Sequence, residues 1–136
     1  MHGYTHAGHP VGCAAAMASL KIVVGEDLPG NAAIQGDYLL DALQSFVERH
    51  ESIGEVRGKG LMLAIDLVKD KNTREPIDPQ LGYAYAIAEA ARRYGAIVRP
   101  VGTKIILSPP LVIQRPDLDR IVDALDQAFK QTPIIG

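Results

Sequence analysis

Apolar residues recur along this chain with two different periods, and the places where the period changes mark its elements. Between Asn31 and His50, Ile34, Tyr38, Leu39, Ala42, Leu43, Phe46 and Val47 fall at helical spacing, with Asn31 placed to cap the helix. Leu61 to Val68 is a continuous apolar run broken only by Asp66, which predicts a well-buried strand; the Gly-punctuated stretch Ile53 to Gly60 leads into it. Lys69 to Pro79 is polar with two prolines, a surface loop. An Ala-rich helix is predicted over Gln80 to Tyr94, closed by Gly95. Ala96–Arg99 and Lys104–Leu107 read as the strands of a hairpin, and Ser108-Pro109-Pro110 then keeps the chain extended and halts pairing. Pro116 to Gln131 carries Leu118, Ile121, Val122, Leu125 and Phe129 on one helical stripe. At the other end, a helix is expected from His9 or Pro10 to Gly25, rich in alanine.

The hairpin forces antiparallel pairing. The expected fold class is therefore α+β, a small antiparallel sheet of about three strands with helices packed on one face. At 136 residues and 47% hydrophobic content the chain can bury one core. No repeat or low-complexity tract interrupts it.

Charge removes some function classes. The 14 basic and 16 acidic residues are interspersed and give a net charge of −2, so nothing draws the chain to nucleic acid or to an anionic membrane. Aromatic residues make up 5% and tryptophan is absent, which leaves few stacking platforms. No apolar run reaches membrane-spanning length and no leader is recognisable. A single cysteine, Cys13, set among alanines, reads as a small packing residue, and a reducing cytoplasm is the expected compartment.

Candidate chemistry sits in two places. Gly3-Tyr4-Thr5-His6-Ala7-Gly8-His9-Pro10 is a glycine-bearing loop at a helix start, where unpaired N–H groups and the helix dipole favour an anion; Thr5 could equally cap a turn. Arg99 ends a strand before Pro100, offering a planar fork to a carboxylate or simply facing solvent. His2, His6 and His9 crowd the N-terminus, but His9 is better explained as the residue that starts the helix, and no metal site is expected. Arg57, in Val56-Arg-Gly-Lys-Gly60, lies in a structural segment near a possible substrate mouth; a strand follows its glycines where a phosphate loop would need a helix.

Three segments together resemble class III aminotransferases that depend on pyridoxal 5′-phosphate (PLP): the Gly3–Pro10 loop, the Val56–Met62 stretch Val-Arg-Gly-Lys-Gly-Leu-Met, and Arg99-Pro-Val-Gly followed by Ser108-Pro-Pro-Leu111. The closest likeness is to ω-amino-acid:pyruvate transaminases. The resemblance implies that Gly3, Tyr4 and Thr5 bind the cofactor, with Thr5 on the phosphate held by a neighbouring subunit. It also implies that Arg99 grips the substrate carboxylate and swings aside for apolar amines. It divides the chain into residues 1–30, a phosphate loop and the last helix of a large domain, and residues 31–136, a C-terminal small domain. The family lysine that holds PLP as a Schiff base lies upstream of this loop. No residue of this chain is therefore expected to be catalytic, and the chain alone is expected to be inactive and without bound cofactor. A homo-oligomer, a dimer or larger, and a missing large domain are the expected partners. The alternatives are a non-catalytic oligomerising or ligand-binding module, or the small-domain half of a split enzyme.

Overall fold

Pro10, with no N–H to leave unpaired, opens the first helix, α1 (Pro10–Gly25), and His9 caps it: its Nδ1 accepts the N–H of Gly12 at 3.3 Å. The computed structural model describes residues 3–134. No residue of α1 is buried, and Val11, Met17, Leu20, Ile22 and Val24 are all exposed. Cys13 is exposed as well, contrary to a packing role, because α1 touches α2 yet buries no residue of its own among the described residues.

The second helix, α2 (Leu28–Arg49), starts before Asn31. Its cap is Asp27, in the left-handed region at φ 46°, whose carboxylate accepts the N–H of Gly30 at 3.3 Å. Asn31 lies inside the first turn instead. Its amide donates to the carbonyls of Leu111 (2.6 Å) and Ile113 (3.2 Å), tying α2 to the Pro-rich segment far along the chain.

Strands β1 (Ile53–Lys59) and β2 (Met62–Asp70) form a hairpin that turns at Gly60 and Leu61. Glycines hide β1 from a reading of periodicity, yet Gly58 is required there: a Cβ would lie 2.3 Å from the Met62 carbonyl oxygen. A two-residue strand β3 (Glu75–Pro76) pairs with the end of β2. The predicted third helix is split. A 3-10 turn, Pro79–Leu81, ends at Gly82 (φ 63°), and α3 (Tyr83–Arg93) follows.

The next strand also shifts. The N–H of Ala96 still bonds to the Ala91 carbonyl (3.0 Å), so pairing begins only at β4 (Arg99–Val101), opposite β5 (Lys104–Leu107). Helix α4 (Arg115–Gln131) closes the chain.

The antiparallel sheet thus has five strands rather than about three, in the order β1-β2-β5-β4, with β3 added to β2. Its helices do lie on one face. Leu63, Ile65 and Leu67 of β2 and Ile105 and Leu107 of β5 are buried in one cluster with Leu39, Leu43 and Phe46 of α2, Ile87 and Ala91 of α3, and Leu118, Leu125 and Phe129 of α4. The intervening residues, Met62, Ala64, Asp66, Lys104 and Ile106, point to the uncovered face.

Candidate substrate and cofactor surface

Antiparallel register lines up side chains from four strands on the uncovered face. Arg57 pairs with Ala64, Ala64 with Ile106, and Ile106 with Arg99, so two arginines stand at the ends of a row whose middle is small and apolar. The adjacent row is Glu55, Asp66, Lys104 and Val101. An open cavity of about 500 Å³ lies on this face, lined by Arg57, Gly58, Met62, Leu63, Ala64, Ile106 and Ser108. Arg99 stands one strand beyond it.

The two arginines differ electrostatically. The Arg57 guanidinium binds both oxygens of Asp66, with Nη2 at 3.3 Å from Oδ1, and also reaches Oε2 of Glu55 at 3.2 Å. The hydrogen bond and charge of Asp66 hold its proton even more firmly than usual. Lys104 Nζ approaches Asp66 Oδ1 at 3.6 Å. Arg99 is exposed, and among the described residues no carboxylate lies within ion-pair distance of it. It is the guanidinium of this row left free to take a ligand.

Gly3, Tyr4 and Thr5 lie in the exposed turn before α1. The Tyr4 carbonyl accepts from Ala7 N (3.0 Å) and the His6 carbonyl from His9 N (3.2 Å), while the Thr5 hydroxyl has no hydrogen-bond partner among the described residues. None of these three residues, nor Arg99, lines the sheet-face cavity. No set of three or more His, Cys, Asp or Glu side chains among the described residues is grouped to hold a metal; His2 falls outside those residues.

The profile of the family described as aminotransferase class-III matches residues 1–129. The chain belongs to the class III aminotransferases. An uncharacterized aminotransferase, y4uB, of Sinorhizobium fredii is 43% identical over 131 residues, which are 95% of this chain and 28% of that protein. Among solved structures, an amine transaminase from an uncultivated Pseudomonas species, in a PLP-bound form, is 58% identical with a TM-score of 0.94, over 98% of this chain and 30% of that one. An (S)-enantioselective omega-transaminase from Thermomicrobium roseum is 41% identical with a TM-score of 0.89, over 97% and 29% respectively. This aminotransferase chain thus spans under a third of the length of these relatives.

The class III relatives use PLP, and the residues present fit one part of that cofactor. An exposed, unpartnered Thr5 hydroxyl beside a helix start suits a phosphate. Four of the six lysines are already engaged, Lys21 and Lys59 being the exceptions among the described residues. Lys69 pairs with Glu75 (3.2 Å), Lys71 donates to the Val47 carbonyl (2.5 Å), Lys104 faces Asp66 and Lys130 pairs with Asp126 (2.5 Å). Sequence reasoning singled out Thr5 and Arg99 as candidates but missed the contacts that Glu55, Asp66 and Lys104 make around Arg57. The signal was there in Asp66, the lone charge of an apolar run.

Proposed function

We propose that this chain is the C-terminal part of an aminotransferase that moves an amino group between an amine or ω-amino acid and a keto acid. Residues 1–30 then supply the phosphate loop and the last helix of the large domain, and residues 31–136 the small domain. When bound, PLP supplies the electron sink for the transfer. Arg99 grips the carboxylate of the amino or keto acid with two parallel hydrogen bonds, and Ile106, Ala64 and Met62 offer an apolar surface to amines that lack one. Thr5 donates its hydroxyl and N–H to the cofactor phosphate of a neighbouring subunit in a homodimer. That division of labour suits a loop that lies away from the sheet-face cavity of its own chain.

The observation that carries this reading is the free Arg99 beside an apolar row, in a chain of this family. The test is Arg99→Leu in the full-length polypeptide that carries this segment. Losing a charge-assisted pair worth about 2–3 kcal/mol should lower kcat/KM for pyruvate by about 30- to 150-fold, with aryl-alkyl amines affected no more than a few-fold. Equal losses for carboxylate and non-carboxylate substrates would refute it. The 136-residue chain itself, given PLP, an amine donor and pyruvate, is expected to show no turnover; alanine formation above the protein-free blank would refute that part.

A further inference from the structure

The row that ends in Arg99 begins with a second arginine, and the structure keeps that one occupied. Adjacent strands lie about 4.8 Å apart, so the Cα atoms of Arg57 and Arg99 are roughly 14 Å apart across three strand spacings. Side chains from the two ends can meet over Ala64 and Ile106 on a ligand that carries a carboxylate at each end. Asp66 prevents this. It takes both Nη groups of Arg57 from the neighbouring row, and its side chain is only 24% exposed, whereas Glu55, the other partner, is 48% exposed.

We propose that Asp66 is a specificity-determining residue: by holding Arg57 it denies the sheet face a second carboxylate site and restricts the acceptor to one carboxylate, gripped by Arg99. This rests on the assignment of Arg99 as the substrate-carboxylate residue. The selectivity is built by an internal competitor. A dicarboxylate must displace a two-point carboxylate–guanidinium contact before Arg57 can bind it, while a monocarboxylate meets no such cost. The exposed pair with Glu55 is a weaker tether, since pairs this open to water contribute little.

Asp66→Asn keeps the shape and removes the charge. In the full-length polypeptide, calorimetric titration with glutarate and butyrate, which do not react, separates binding from turnover. Asp66→Asn should tighten glutarate about tenfold, the size of one charge-assisted hydrogen bond, and leave butyrate within about twofold. The kcat/KM ratio of 2-oxoglutarate to pyruvate should rise by a similar factor. Adding Arg57→Leu should abolish the gain; if the gain survives, the freed Lys104 or net charge is responsible and the proposal fails. Unchanged glutarate affinity in Asp66→Asn also overturns it. Should Asp66→Asn not fold, Arg57→Leu alone decides: with Arg57 already occupied, both ligands should bind within about twofold of the parent, and a fivefold loss for glutarate overturns the idea. Arg99→Leu tests the underlying reading separately, because that reading requires both ligands to weaken; if neither does, the Arg99 assignment fails rather than the role of Asp66.

Discussion

Where α2 crosses the β1–β2 turn, the approach is close enough that one methyl group should disrupt it. A Cβ on Gly36 would lie 2.2 Å from the carbonyl carbon and oxygen of Gly60 and 2.5 Å from its Cα. Carbon atoms pack at about 3.5–4.0 Å, so Gly36→Ala requires a local retreat of roughly 1.3 Å. The obstacle is backbone, which cannot rotate away as a side chain would. The same helix carries Leu39, Leu43 and Phe46, each 0% exposed, and a gap of that size beside them forfeits much of their dispersion contact. Overpacking costs about 1–3 kcal/mol, and the upper end applies against backbone; the helix gains about 1 kcal/mol from alanine in return. The expected net loss is about 2 kcal/mol. Urea unfolding followed by far-UV circular dichroism reads it directly: with a slope of about 2 kcal/mol/M, the midpoint should fall by about 1 M. A midpoint equal to or above that of the parent would show that propensity outweighs the contact and would refute the reasoning.

A second expectation concerns pH. Asp126 is nearly buried and binds Arg49 (2.5 Å), His50 Nε2 (3.0 Å) and Lys130 (2.5 Å), joining the end of α2 to α4. Burial on its own raises its carboxyl, but hydrogen bonds from Lys130 and His50 and the Arg49 charge outweigh it and hold the group below the usual carboxylate range. A depressed folded value means the stabilisation is complete above the unfolded value of about 3.9 and is lost as pH falls through the lower folded one. Asp126→Asn should cost about 2 kcal/mol at pH 7, mostly from the buried His50 contact, because Arg49 and Lys130 are about half exposed. It should also flatten the acid limb of the stability curve below pH 4; an unchanged acid limb in urea titrations would refute the assignment.

Strongly periodic segments were legible in the sequence. The stripe from Leu118 to Phe129 and the run through Ile65 became α4 and the central strand β2 because burial and pattern agree there. Strand β1 escaped because Gly54 and Gly58 remove the side chains that a period-two pattern needs. The start of α2 was misplaced because Asp27 caps it from a left-handed conformation, while Asn31, a good capping residue, is used in contacts 80 and 82 residues away in sequence. Thr5 and Arg99 were singled out as candidates chiefly through family resemblance rather than periodicity. The pairing of Arg57 with Asp66 was out of reach, since it depends on register between strands, which composition does not encode.

Pro100 sits in the middle of β4, the last strand on its side of the sheet. Proline brings no N–H to that open edge, so another strand has little to pair with, and the commonest route to β-aggregation is blocked where Arg99 is displayed. The hairpin can therefore present its arginine to water without inviting a second chain to zip onto this edge. The protection is local: β1, at the other end of the sheet, carries no proline, so pairing by a further strand is discouraged along β4 alone.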